Sequence, residues 1–253
     1  MTTVLVTGAA GRVAQQLRPG LDGVDGLTLR AVDVREVTGW DGAETAVGDL
    51  TDAAFTAAAV AGVDAVVHLA ANPRPEAAWP ELRGPNVDAV VTLLDTASTA
   101  GVRKVVLASS VHAMGGYVQP GGPVVDPSWP VRPCCRYGSS KAFAEAYGRM
   151  VADAGGPAVI CLRLGGCVPE PGDLGTTIGW LAPGDLHQLV RAALAADVRY
   201  GTYFGVSANT RGMFDYTNAT RELSYRPRFD SEVYVPGLPD GDGGLCRWAA
   251  TDT

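Results

Sequence analysis

Apolar residues occur in short, nearly unbroken runs separated by longer stretches in which they recur every three or four positions. The runs "TVLVTG" (3–8), "LTLRAVD" (27–33), "DAVVHLA" (64–70), "RKVVLASS" (103–110) and "PAVICLRLG" (157–165) have the character of strands covered on both faces. Between them, "GRVAQQLRP", "DAAFTAAAVAG", "NVDAVVTLLDTASTAG" and "SSKAFAEAYGRMVADAGG" show helical spacing and end at Pro or Gly. Such alternation implies right-handed crossovers and a parallel sheet. The expected fold is α/β, a doubly wound Rossmann-type parallel sheet. After about residue 165 the alternation is expected to fade. The expected division is therefore a doubly wound core over 1–165 and a small C-terminal lobe and tail over 166–253, within one structural unit. The final "PDGDGGLCRWAATDT" reads as a loose tail.

Composition narrows the partners. A chain of 253 residues that is 47% hydrophobic can bury a large core. Its net charge of -7 argues against nucleic acid or an anionic membrane, both of which need a basic surface. A small molecule is the expected partner. No run approaches the roughly 18 uninterrupted apolar residues of a membrane helix, and the N-terminus runs straight into a strand, so a soluble cytoplasmic protein is expected. The five cysteines, Cys134, Cys135, Cys161, Cys167 and Cys246, are odd in number and lack CxxC or His spacing. Neither a disulfide scaffold nor a metal site is expected.

The first strand runs into "TGAAGRVA" (7–14) and then a helix. Gly8 and Gly11 fit the first two glycines of a dinucleotide fingerprint, with Ala14 at the third position. A pyrophosphate would lie on the free amides of that helix N-terminus. Asp33 follows Gly11 by 22 residues, at the end of the second strand. A carboxylate there accepts both ribose hydroxyls and repels a 2′-phosphate, so NAD is favoured over NADP. Arg12 and Arg35 lie near enough to weaken that preference. Asp49, in "GDL", is either a contact to the adenine amine or a surface-turn aspartate.

"RYGSSKAFAEAYGRM" (136–150) carries Tyr137 and Lys141 one helical turn apart, on one face. Alone, such a pair belongs more often to an ordinary helix than to an active site. Here it follows a strand ending in "ASSVH", whose Ser109 and Ser110 emerge at the carboxyl edge of the sheet, where open α/β folds bind ligands. Tyrosine, with a reference pKa of about 10, needs a neighbouring cation to move protons at neutral pH, and Lys141 supplies one. Ser110 would hold the reacting oxygen while Tyr137 moves its proton.

With TGxxGxxA, the acid after the second strand, "HLAA", the serine and YxxxK in order, the chain resembles the extended short-chain dehydrogenase/reductases over roughly residues 3 to 235. The resemblance implies Ser110, Tyr137 and Lys141 as catalytic residues. It implies a cofactor site of Gly8, Gly11, Arg12, Val13, Asp33, Asp49 and Leu50, with Leu69, Ala70 and Ala71 after the "HL" strand and Tyr137 and Lys141 at the nicotinamide. It points to Asn86 in a positioning or structural role, and to a homodimer paired through helices at about 86 to 100 and 137 to 154.

Within that superfamily, "ASSVHAMGGY", "RLGGCVPEP", "TIGWLAPGDLHQLVRAAL" and "FGVSANTRGMFDYTNATRELSYRPR" are similar to uronate dehydrogenases, which oxidise the C1 hydroxyl of a hexuronic acid with NAD. That likeness implies a substrate site of Asn72, Ser110, Val111, His112 and Gly166. His112 would orient a substrate hydroxyl, satisfy a backbone carbonyl or serve as a second acid/base. The departures fall in the same place. Val111, Gly166, Pro73 and Gly175 stand where that group carries polar residues, including the arginine that binds the uronate carboxylate. They imply a roomier, less polar pocket and a bulkier or less sugar-like substrate. Arg74 and Arg136 are candidate anion anchors, and Met114, Tyr117 and Trp180 candidate neighbours. Cys134 and Cys135 have no evident activating partner beyond Arg132 and Arg136. The leading reading is an NAD-dependent dehydrogenase or reductase acting on a hydroxyl, hemiacetal or carbonyl. The alternatives are an epimerase or dehydratase that retains NAD, and a non-catalytic dinucleotide sensor.

Overall fold

The computed structural model describes residues 1–241. The expected loose tail falls almost wholly outside them, as does Cys246. The chain runs through β1 (Thr2–Thr7), α1 (Arg12–Leu17), β2 (Leu27–Asp33), β3 (Glu44–Val47), α2 (Ala53–Val60), β4 (Ala65–His68) and α3 (Trp79–Arg83). It continues through α4 (Ala89–Thr99), β5 (Lys104–Ser110), α5 (Arg136–Asp153), β6 (Ala158–Leu164), β7 (Gly166–Cys167) and β8 (Trp180–Leu181). Helix α6 (Pro183–Ala195), β9 (Tyr200–Gly205) and α7 (Thr217–Glu222) follow. Seven strands form one sheet in the order β3-β2-β1-β4-β5-β6-β9, every pairing parallel, with the strand order reversing between β1 and β4.

The near-continuous apolar strands follow from this arrangement. In β1, Val4 and Val6 face the core shared with Leu17, Leu186 and Leu189, while Leu5 between them faces Leu93 and Leu94 on the other side. Alternate residues thus enter two cores, and both must be apolar.

The expectation that alternation fades after residue 165 is corrected. Helix α6 and strand β9 continue it, and β9 pairs along β6 from Val159↔Tyr200 to Leu164↔Gly205. Gly201 and Gly205 break up the apolar run of β9, which hides it as a strand. Helix α6 does carry a readable signal: Pro183 in its first turn and Leu186, Leu189, Val190 and Ala193 buried at helical spacing. Strand β3 is exposed along its whole length at the sheet edge, so no apolar run marks it. The helix expected from Asn86 begins earlier, as α3 joined to α4 by a π-helical turn over 84–88.

Candidate functional site

The carboxyl ends of the strands around the β1/β4 reversal open into a cleft of about 800 Å³, within the range of small-molecule sites. Its floor is the turn after β1. Gly8 has φ +70, and a Cβ there would lie 2.6 Å from Ala70 N. Glycine is thus required twice over, for the left-handed backbone and for the close approach of the β4 loop. Thr7 Oγ1 lies 2.8 Å from His68 Nδ1 and accepts from Ala70 N, binding the ends of β1 and β4 together. His68 is fully buried, and desolvation followed by the nearby Lys141 charge pushes its pKa down to about 3.

At the far end of the turn, Asp33 Oδ2 accepts from Ala10 N at 3.0 Å, and Oδ1 accepts from Arg35 N at 2.9 Å. The carboxylate is therefore fixed against the glycine loop, and each oxygen keeps accepting capacity. Arg35 Nε also reaches Oδ1, at 3.3 Å, from a largely exposed side chain. Gly8, Gly11, Arg12 and Val13 line the cleft together with Leu69 and Ala71. Asp33, Asp49, Leu50 and Ala70 do not. Leu50 is core, and Asp49 is exposed, its side chain accepting from Thr51 N within its own turn.

The opposite wall is built by β5 and α5. Ser110 ends β5, and its Oγ accepts from His112 N at 3.2 Å, capping a 3₁₀ turn over Val111–Ala113. Helix α5 presses its first turn against that 3₁₀ turn; a Cβ on Gly138 would fall 2.2 Å from the His112 carbonyl oxygen. This contact brings Tyr137 to Ser110. Burial pushes the Tyr137 phenol up to about 12, while a hydrogen bond with Ser110 acts in the opposite direction. Lys141, one turn on, places Nζ 5.7 Å from the centre of the Tyr137 ring and donates to the Ala108 carbonyl at 2.8 Å. Burial draws the Lys141 pKa down to about 8, and the Glu145 charge partly restores it. All three residues line the cleft.

Behind them lies a network that sequence reasoning did not find. Arg163 on β6 makes a two-pronged bond to Glu145 on α5, both contacts 2.9 Å, with side chains only 3% and 4% exposed. Ser109 Oγ donates to the same carboxylate at 2.5 Å. The network ties β5, β6 and α5 together directly beneath Ser110 and Lys141. No sequence spacing links residues 109, 145 and 163; only the parallel register Ser109↔Arg163 does.

Asn86 occupies the π-helical turn and is buried. Its Oδ1 accepts from Asn72 N at 2.7 Å, and its Nδ2 donates to the Asn72 carbonyl and to Ser140 Oγ, both at 3.0 Å. It braces the β4 loop against α5. Asn72 itself is turned away from the cleft, with Nδ2 donating to the Glu81 carbonyl and Oδ1 accepting from Arg74 N. Val111, His112 and Gly166 do line the cleft, with Val111 buried and Gly166 exposed. Asp173, Thr176, Ile178 and Phe214 join them from the chain after β7, unforeseen because loops carry no periodic signal. Met114 and Trp180 are core side chains, Tyr117 packs on Trp129, and Arg136 is exposed; none of the four lines the cleft. Arg74 does, and forms an ion pair with Glu81.

The cysteine expectation is corrected. His112 Nδ1 lies 3.4 Å from Cys134 Sγ and 3.5 Å from Cys135 Sγ, so the adjacent pair has an imidazole partner. These residues are over 20 positions apart in sequence, and the fold alone unites them.

A parallel doubly wound sheet with a glycine turn, an acid at the end of its second strand and a Ser–Tyr–Lys wall defines a dinucleotide-dependent α/β protein. The NAD dependent epimerase/dehydratase family matches residues 4–168, and the chain belongs to that family. Among curated relatives it is 33% identical to a uronate dehydrogenase of Pseudomonas syringae pv. tomato, over 91% of this chain and 83% of that protein. It is 32% identical to the L-arabinose 1-dehydrogenase (NAD(P)(+)) of Haloferax volcanii, over 93% of this chain and all of that one. The crystal structure of uronate dehydrogenase from Agrobacterium tumefaciens superposes with a TM-score of 0.88 at 30% identity, covering 96% of each chain. The family's cofactor fits the residues present: the Gly8 turn leaves the room that a side chain would fill, and the Asp33 carboxylate is held at its rim.

Proposed function

We propose that this protein is an NAD-dependent dehydrogenase that oxidises the anomeric hydroxyl of a neutral aldose. The observation that carries the reading is the contact between Tyr137 and Ser110 with Lys141 beneath it, on the cleft wall facing the glycine turn. Ser110 holds the substrate oxygen. Tyr137, as phenolate, takes the hydroxyl proton, and the Lys141 ammonium stabilises the anion it needs to be. NAD, when bound, supplies the acceptor for the hydride that leaves the same carbon. Gly8, Gly11, Arg12 and Val13 bind its phosphates, Asp33 its adenosine ribose, and Lys141 its nicotinamide ribose. The stretch after residue 165 contributes Gly166, Asp173, Thr176, Ile178 and Phe214 to the outer wall of the substrate site, although β9 within it belongs to the sheet and α6 packs in the core beside it.

Charge around the substrate end supports a neutral sugar. Glu76 and Asp173 line it, and among the described residues the arginine at that end, Arg74, is held by Glu81. An anionic sugar would have to compete with Glu81 for that cation. The relatives named for uronate and for L-arabinose bracket the choice. The test is NADH absorbance with NAD and L-arabinose, galacturonate, glucuronate or glucose 6-phosphate, using Tyr137→Phe as the control. The neutral aldose should give the highest kcat/KM. A higher value with either uronate would overturn the neutral-sugar reading and implicate Arg74. No NADH from any aldose, with NAD binding intact, would overturn the dehydrogenase reading in favour of an NAD-retaining one.

The protein is also proposed to be a cytoplasmic homodimer paired through α4 and α5. Phe143 and Met150 are exposed on α5, and Tyr147, stacked on Phe143, hydrogen-bonds Asp95 of α4. No helix among the described residues is long and apolar enough to cross a membrane. Sedimentation would test the pairing, with Phe143→Glu expected to yield monomer.

A further inference from the structure

We propose that His112, Cys134 and Cys135 form a binding site for a thiophilic divalent cation, zinc above all, beside the acid/base tyrosine. The ligand atoms of the three residues lie within 4.8 Å of one another. A tetrahedral zinc with Zn–N of about 2.05 Å and Zn–S of about 2.3 Å requires an N···S separation of about 3.5 to 3.6 Å. The two separations here are 3.4 and 3.5 Å. Both nitrogen-to-sulfur separations therefore match the ion, and the two sulfurs lie within 4.8 Å of each other, so binding asks for a side-chain adjustment that brings the adjacent cysteine sulfurs together, on two segments that the fold unites.

The surroundings suit the charges. Cys135 caps α5, and its sulfur accepts from Gly138 N at 3.4 Å, at the positive end of an 18-residue helix, which favours a thiolate. Cys134 Sγ also donates a weak thiol hydrogen bond to the His112 carbonyl at 3.7 Å, which metal binding replaces. Two thiolates and one neutral imidazole balance a dication, so the half-buried site carries no net charge. Binding forms two S–Zn bonds and one N–Zn bond, releases any thiol protons to solvent and involves no electron transfer. A water completes the tetrahedron.

The consequence reaches the active site. His112 lies two residues beyond Ser110 and packs edge-on against the Tyr137 ring with centroids 5.6 Å apart, and Cys135 lies two residues before Tyr137. The ion thus clamps the turn after the oxygen-binding serine to the start of the helix carrying the tyrosine. This inference concerns metal binding and is independent of the sugar dehydrogenase reading.

The test uses reduced, metal-stripped full-length protein titrated anaerobically with Co²⁺. One equivalent should bring up a thiolate-to-cobalt charge-transfer band and the intense visible bands of tetrahedral cobalt, both bleached by Zn²⁺. Cys134→Ser and Cys135→Ser should each weaken the charge-transfer band, and Cys246→Ser should not. In parallel, stoichiometric Zn²⁺ should slow alkylation of Cys134 and Cys135 by iodoacetamide about tenfold, mapped by mass spectrometry. That readout needs no variant, so it stands even where a substitution at the helix cap unfolds the protein. Absence of a charge-transfer band together with unprotected thiols would overturn the proposal, as would a band that survives loss of both cysteines.

Discussion

Asn86 donates from Nδ2 to Ser140 Oγ at 3.0 Å, and through that bond a turn near the middle of the chain reaches the helix that carries Tyr137 and Lys141. Ser140 passes the link on by donating to the Tyr137 carbonyl at 2.7 Å. The Asn86 side chain also accepts from the N–H of Asn72 and donates to its carbonyl. Asn86→Ala would leave buried partners unpaired on two segments, at a cost of about 2 to 3 kcal/mol. Denaturant unfolding should show that loss. Because α5 loses its brace, kcat should also fall while NAD affinity stays near the parent's; an unchanged kcat would limit Asn86 to a structural role.

Tyr137→Phe removes the phenol from a site where it touches the reacting oxygen and not the dinucleotide. Turnover should drop by about 10² to 10⁴-fold, with NAD binding by fluorescence quenching close to the parent's. A variant retaining most of its kcat would remove Tyr137 from the mechanism.

Asp33→Ala deletes the acceptor at the end of β2 and leaves Ala10 N without its partner. NAD should bind about 10- to 100-fold more weakly, the value of charge-assisted hydrogen bonds to two ribose hydroxyls. NADP should lose much less, since its 2′-phosphate no longer meets a carboxylate and Arg35 remains nearby. Calorimetry with both dinucleotides decides this, and an equal loss would contradict the assignment of Asp33 to the ribose.

The buried pair Glu145–Arg163 gives an asymmetric prediction. Glu145→Ala strands a guanidinium that is 3% exposed and should destabilise by about 3 to 5 kcal/mol. Replacing both, as Glu145→Leu with Arg163→Met, should recover most of that loss, because it removes the uncompensated charge. Urea midpoints of the two variants provide the comparison. The double variant should still be a poorer enzyme, since Glu145 helps keep Lys141 protonated.

His68 makes stability depend on pH. Its pKa is near 6.5 unfolded and about 3 folded, so between those values the unfolded chain binds the extra proton. Stability rises with pH across that window; the full contribution is present above 6.5 and is lost as pH falls toward 3. Between pH 7 and pH 5 the loss from this group is about 2 kcal/mol. His68→Asn should flatten that part of the profile, and an unaltered slope would rule His68 out as its source.

Much of this was readable in the chain because parallel strands buried on both faces must be apolar throughout, and because a dinucleotide turn requires glycines at particular backbone positions. Gly8 and Gly11 are legible from the spacing of the turn, Asp33 and Ser110 from their places at strand ends, and Tyr137 and Lys141 from their one-turn separation. Strand β9 is not, because glycines interrupt it; helix α6 carries Pro183 and a buried apolar face at helical spacing but follows a Gly- and Pro-rich stretch that obscures where regular structure resumes. What only the tertiary structure decided is every relationship between segments distant in sequence. Asn72, expected at the substrate, has its side chain bonded to the Glu81 carbonyl and Arg74 N, Asp49 accepts from Thr51 N within its own turn, and Glu145 on α5 meets Arg163 and Ser109, which strand register sets side by side. His112 meets Cys134 and Cys135 because helix α5 packs on the turn after β5. Periodicity reports what a residue's own element needs to bury; it carries no information on which side chains from other elements will share that space.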